Sequence, residues 1–245
     1  MTNDLIRGKN NMDECEYKLF CAIVSQIDPF VTNGNYVRLK KKEFYKLLGL
    51  TSDNKYNRWI KKAFGMMEKS KIMFERDGKV QGGYVIQWVE DKGDVFEFTI
   101  ANQIMPELER LNDRQYARWL LKNTVSLKSA YAMKLYAYLN SWQDKRIVDV
   151  SYTWLRDFFM VGDKYKKKQD FERRCIIQAV DEINEKTNMS VEWRPLKKGN
   201  GKTAPTVGYT FKFDVVPIKN QIKELEWEHA RDLNAAEIDQ FKFPF

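Results

Sequence analysis

Residues 170–193 read DFERRCIIQAVDEINEKTNMSVEW. Over 169–186 the residues Cys175, Ile176, Ala179, Val180 and Ile183 recur at three- and four-residue spacing, which predicts a helix with one buried face. At 100° per residue Arg174 and Gln178 fall opposite that face, with Arg173 to one side. Strand-like segments follow at 189–194 and 206–215, joined by the Lys/Gly-rich turn KKGNGKTAP. Just upstream, TWLRDFFM at 153–160 reads as a short helix stopped by Val161-Gly162, and VDVSY at 148–152 as a strand. SAYAMKLYAYLNSW at 129–142 reads as another helix. Helix, strand, helix, helix and hairpin is the plan of a winged helix, a helix-turn-helix followed by a β-hairpin wing.

The same order lies further upstream. Residues 13–27 predict a helix that Asp28-Pro29 ends, Tyr36-Val37-Arg38-Leu39 a strand, 41–49 a short helix stopped by Gly49, and 53–69 a longer helix. Strand-like segments follow at 71–75, 84–90 and 95–100, with turns assigned to Gly82-Gly83 and Lys92-Gly93-Asp94, and helical material returns near 102–122. In this order Val37 and Leu39 match Val148 and Val150, Phe44, Leu47 and Leu48 match Leu155, Phe158 and Phe159, and Ile60, Ala63, Phe64 and Met67 match Ile176, Ala179, Val180 and Ile183. A repeat of about 111–116 residues resolves the chain of 245 residues into an α+β protein with two tandem winged-helix domains. The expected units are 1–122, 123–216 and a C-terminal tail, 217–245, with helical spacing of Ile218, Ile222, Leu225, His229 and Leu233. The apolar ending Phe241-Lys242-Phe243-Pro244-Phe245 reads as a packed or frayed terminus before a partner peptide.

Composition removes whole classes of chemistry. A single histidine, His229, leaves no two-histidine zinc site, no paired metal-binding histidines of a rolling-circle nuclease, and no good candidate for a catalytic triad. Gly201-Lys202-Thr203 resembles the end of a phosphate-binding loop, but Leu196 stands where that loop needs its first glycine. No catalytic residue, metal or cofactor is therefore expected. Cys15, Cys21 and Cys175 show no metal-ligand pairing and read as reduced, buried thiols. No apolar run reaches the ~18–20 residues of a membrane span, and MTNDLIRGKNNMDE carries no apolar signal core. The expected location is the bacterial cytoplasm, on nucleoid or plasmid DNA, away from membranes.

The formal net charge is +8. Residues 1–125 carry 21 basic and 17 acidic side chains, 126–216 carry 17 and 11, and 217–245 carry 4 and 6. The excess thus sits on the two winged-helix units, which suits nucleic acid only where it clusters. In the second unit Lys164, Lys166, Lys167 and Lys168 precede the long helix, where N–H groups and the helix dipole attract phosphate. Arg173, Arg174 and Gln178 offer groups for base edges, and Lys197, Lys198, Asn200 and Lys202 lie on the wing. In the first unit, with the core face centred between Ala63 and Phe64, Arg58 and Lys62 fall nearly opposite, flanked by Lys55 and Lys61. The competing reading of each cluster is a solvated face. Convergence of three clusters on one side of the second motif favours DNA.

These letters resemble the Rep_3-type plasmid replication initiators, a family of iteron-binding tandem winged-helix proteins. The resemblance spans about residues 2–216 and rests on TNDLIRGKN near the start, NTVSLKSAYAMKLYAYLNSW at 123–142, the stretch at 170–193, and GYTFKF at 208–213. It implies Phe171, Ile176, Ala179, Glu182, Ile183 and Asn184 as framework, Arg173 and Arg174 as DNA-facing, and Gly162 to Lys168 as the turn entering the helix. It also implies double-stranded DNA with direct repeats at a plasmid origin, origin opening, and recruitment of the host replication initiator and replicative helicase. A homodimer that represses its own gene is implied as well, with a monomer that initiates. By the same analogy dimerisation falls to the first unit, with Tyr84, Ile86 and Trp88 as its apolar candidates. The rivals are a winged-helix transcriptional repressor without initiator activity and a protein-interaction module.

Overall fold

The computed structural model describes residues 3–27, 35–48, 53–109, 122–199 and 204–215. The chain opens with a short helix α1 (Asn3–Arg7) and a two-residue strand β1 (Lys9–Asn10), followed by α2 (Glu14–Val24). Asp13 and Glu16 close a reciprocal capping box at the start of α2, each accepting the other's backbone N–H at 3.0 Å. Cys15 through Val24 are all buried, so α2 is a central helix.

Strand β2 (Tyr36–Lys40), α3 (Lys41–Leu47), α4 (Asp53–Lys69) and the hairpin β5 (Ile86–Asp91) and β6 (Val95–Ile100) form the first winged helix. Its sheet has the order β2-β6-β5, all antiparallel, with Val37 opposite Phe98 and Leu39 opposite Phe96 on the core face. Between α4 and β5 the chain inserts another hairpin, β3 (Lys71–Arg76) and β4 (Lys79–Tyr84), which pairs with β1 in a separate sheet.

That insertion corrects the turn assignment. Gly82 and Gly83 lie inside β4, opposite Met73 and Ile72. The turn is Asp77-Gly78, both with positive φ (51° and 71°), the pairing that a tight two-residue hairpin requires. Gly82 is a glycine for another reason: a Cβ there would stand 2.8 Å from the Met73 side chain and 2.9 Å from the Ile72 carbonyl. Of the helical material expected near 102–122, α5 (Met105–Glu109) is described and residues 110–121 lie outside the described residues.

Next along the chain is α6 (Ala130–Asn140), capped by Ser129 and buried from Ala132 through Asn140. Strand β7 (Ile147–Ser151) and α7 (Tyr152–Phe158) follow. The long helix is continuous but mixed: an α-helical turn Lys168–Phe171, a π-helical stretch Glu172–Ile177 and an α-helix Gln178–Lys186, together α8. Strands β8 (Met189–Lys197) and β9 (Thr206–Val215) complete a sheet of order β7-β9-β8, the topology of the first wing sheet. Val148 faces Phe211 and Val150 faces Tyr209, so the pairs on β2 and β6 recur here.

Among the described residues, three cationic side chains tie the first ten residues to α6 and α7. Arg7 donates to the Ser141 hydroxyl (3.0 Å) and carbonyl (2.8 Å) at the end of α6 and lies 3.5 Å from the centre of the Trp142 ring. Lys9 reaches Asp157 at 3.2 Å. Buried Lys134 reaches back to the Asn10 carbonyl at 2.6 Å, and its burial lowers its pKa to about 8. The cysteines are free and buried, and burial pushes the Cys21 and Cys175 thiols up to about 12, where they are inert as nucleophiles. Among the described residues no helix is long and apolar enough to cross a membrane.

Candidate nucleic-acid interface

On α8 the core face is Phe171, Cys175, Ile176, Ala179, Val180 and Ile183, all buried. Arg173, Arg174 and Gln178 are exposed on the opposite side. Arg173 is held by Asp170 at 2.9 Å, while Arg174 makes no ion pair among the described residues. The Arg-rich turn is π-helical, and the Gln178 N–H closes on the Arg173 carbonyl five residues back. Such stretches widen a helix locally and recur at functional sites.

The loop before α8 is held by a residue absent from the sequence-based site. Arg156 of α7 donates to the carbonyls of Gly162 (2.8 Å), Lys164 (2.9 Å) and Tyr165 (2.8 Å). Its guanidinium also rests on the Tyr152 and Phe171 rings, 5.7 and 5.4 Å from their centres. Met160, Gly162 and Tyr165 all have positive φ, a conformation that costs energy at the two non-glycine positions. A planar fork satisfying three carbonyls holds that turn, and exposed Lys164, Lys166 and Lys167 project from it. Lys168, half-buried, pairs with Glu172 at 3.6 Å. Nothing in the letters marks Arg156, because its partners are main-chain oxygens.

Behind α8, Asn184 is fixed to β8 by two hydrogen bonds with the Val191 backbone, at 3.0 and 2.7 Å. Glu182 accepts the Lys128 and Ser129 N–H groups at 2.7 and 3.0 Å, tying α8 to the start of α6. On the wing, Lys197 and Lys198 are exposed near the tip, and the Lys198 N–H closes onto the Pro205 carbonyl at 2.9 Å. Asn200 and Lys202 lie outside the described residues, as does the tail 217–245.

The first unit differs from the expected phase. The buried face of α4 is Trp59, Ala63 and Met66, with Trp59 edge-on to Phe44 at 5.1 Å, whereas Phe64 is 37% exposed. The core centre is therefore rotated away from the assumed midpoint between Ala63 and Phe64. The rotation carries Lys62 toward the core side, where its ammonium pairs with Asp13 and lies 3.5 Å from Glu16, against the capping box of α2. Arg58 and Lys61 remain exposed, and the side chain of Lys55 lies outside the described residues. Of the apolar surface candidates, Tyr84 and Trp88 are exposed but Ile86 is 1% exposed, a core residue. Among the described residues no group of three or more His, Cys, Asp and Glu is placed to hold a metal ion.

Comparison with known proteins covers most of the chain. Residues 1–140 match the family model described as Initiator Replication protein, WH1, and residues 151–213 the one described as Initiator Rep protein, WH2. The crystal structure of Pi initiator protein in complex with iteron DNA is similar at a TM-score of 0.68 and 15% identity, covering 87% of this chain and 94% of that one. At that identity the likeness is one of fold. Domains 2 and 3 of RctB give 12% identity and a TM-score of 0.47, covering 82% of each chain.

Proposed function

Because the chain belongs to the Rep3 family of replication initiator proteins, we propose that it acts by binding directly repeated DNA, the iterons of a plasmid origin, through both winged helices. The role is one of binding and assembly, with no chemical step. One observation carries the reading: on α8 the outward Arg174 and Gln178 follow directly on a clamped loop of exposed lysines. Arginine and glutamine recognise guanine and adenine edges in the major groove, while lysines grip phosphate and fix the register. The fold relative Pi initiator protein was crystallised with iteron DNA, which supports the same class of ligand. On this reading the second unit, taken as 123–216, is the main reader and the first, 1–122, a lesser one through Arg58 and Lys61. The protein works on plasmid DNA in the bacterial cytoplasm and hands the opened origin to the host initiator and replicative helicase.

The first unit also supplies a surface for a homodimer. Among the described residues strand β4 is the outer strand of its sheet, and Val80 on it is 78% exposed. An uncovered edge of this kind pairs with another strand, most simply the same strand of a second copy. A dimer would read inverted repeats and repress the protein's own gene.

Selection of duplexes from a random library by the full chain tests the reading. Recovery of direct repeats of about 20 base pairs, the span of two recognition helices one turn apart, is the expected result. Recovery of inverted repeats alone would replace the initiator reading with that of a repressor.

A further inference from the structure

Two isoleucines stand side by side on α8 and do opposite things. Ile176 is fully buried, whereas Ile177 is 39% exposed and takes no part in the hydrophobic core. It lies on the outward side of the helix, one turn after Arg173 and Arg174 and next to Gln178. The fold does not ask for an apolar residue there. The core stripe is complete with Phe171, Cys175, Ile176, Ala179, Val180 and Ile183, and a β-branched side chain is a poorer helix former than the polar residues that usually occupy such a face. Isolated exposed apolar residues are common on protein surfaces. This one stands within the small set of side chains that reach base edges under the proposed function.

We propose that Ile177 reads the C5-methyl group of a thymine in the major groove, and so sets sequence preference beside Arg174 and Gln178. Thymine is the base that presents an apolar group in that groove, and an aliphatic side chain discriminates it by packing on the methyl. Ile177 lies three residues along the helix from Arg174, and because that stretch is π-helical the rise is less than the ~4.5 Å of three α-helical residues. Base pairs are spaced about 3.4 Å apart, so the thymine falls within about two base pairs of the guanine that Arg174 recognises. The inference rests on the assignment of α8 as a DNA reader.

The test uses the full chain and a duplex recovered from a random library. Each thymine is replaced singly by deoxyuridine, which keeps base pairing and removes only the methyl. Wild-type protein should lose about fourfold in affinity at one thymine, the equivalent of one buried methyl group. Ile177→Ala should bind the thymine and deoxyuridine duplexes equally, with an unchanged melting temperature. Loss of affinity at no thymine, or the same loss in Ile177→Ala, overturns the assignment of Ile177. Arg174→Ala distinguishes that failure from a failure of the reading beneath it. If Arg174→Ala relaxes preference at a guanine while the methyl effect is missing, the Ile177 inference alone falls. If Arg174→Ala leaves affinity and base preference intact, α8 is not the reader and both fall.

Discussion

The two winged helices share one topology and use their surfaces differently. In the second, the long helix turns Arg174 and Gln178 outward, and the loop before it is held by Arg156 so that three lysines stand clear of the protein. In the first, Lys62 of the matching helix is drawn into the capping box of α2, and the chain inserts a hairpin with an open outer strand. Charge left unpaired on a rigid element is available to phosphate and bases. Charge folded into an internal ion pair serves the protein's own stability. A duplicated fold can thus keep its strand order while placing its charge differently, outward on the long helix in one copy and drawn into an internal ion pair in the other.

The largest expected contrast is between Arg174 and Lys62. Arg174→Ala should weaken duplex binding by about 1–3 kcal/mol, roughly 5- to 150-fold, with relaxed preference at one base pair. Lys62→Ala should leave binding within about twofold and lower unfolding stability by up to about 1 kcal/mol, as expected for a partly exposed ion pair. Fluorescence anisotropy and urea unfolding read both. Equal losses of affinity would erase the distinction.

Next comes salt. Replacing Lys164, Lys166 and Lys167 by alanine should reduce the slope of log affinity against log salt by about 3, since each phosphate contact contributes about 0.9. The pair Arg58→Ala and Lys61→Ala should reduce it by less than 2. A smaller change in the second unit than in the first would reverse the ranking of the readers.

Arg156→Ala should weaken binding several-fold although Arg156 projects no charge toward a ligand, because the lysine loop loses its three carbonyl tethers. Lysine at 156 should not restore it, lacking the planar fork. Faster hydrogen exchange confined to residues 161–167 would accompany the loss. Unchanged exchange with full affinity would show that the loop holds its shape unaided.

The smallest effect is on acid stability and belongs to the first unit. Glu97 is 3% exposed on the wing sheet, and Lys92 and the Tyr36 hydroxyl, with Arg38, hold its carboxyl at about 2. Its unfolded value is about 4.3. A carboxyl lowered on folding contributes stability that is complete above the unfolded value and is lost as pH falls through the folded one. The first unit should therefore weaken between about pH 4.3 and pH 2, and Glu97→Gln should flatten that part of the acid titration. In the second unit Asp149 instead meets Thr210 at 2.5 Å, with no ion pair to Asp149 among the described residues.

The same contrast explains what was legible in the letters. The apolar residues of α8 form one narrow stripe, so the helix, its buried face and the outward Arg174 and Gln178 follow from spacing. On α4 the apolar residues Trp59, Ile60, Ala63, Phe64, Met66 and Met67 spread over a wide arc. Tertiary packing fixes which part of that arc is core, the contact of Trp59 on Phe44 among it, 15 residues distant in sequence. The two-residue strand β1 is too short for any alternation to reveal it. The Asp77-Gly78 turn competes in the letters with Gly82-Gly83, of which Gly82 answers to close approach of a neighbouring strand, whereas a Cβ at Gly83 would meet nothing within 4 Å. The π-helical stretch keeps the apolar spacing of an α-helix, and Arg156 binds main-chain oxygens, so neither leaves a mark in side-chain identity.

On the proposed function, one chain reads duplex DNA at two places, the second winged helix dominating. Hydroxyl-radical footprinting of a single selected repeat with the full chain tests it most directly. Two protected patches about one helical turn apart are expected, with Arg174→Ala erasing the stronger and Arg58→Ala with Lys61→Ala the weaker. A single patch, or two patches that both survive Arg174→Ala, would contradict it.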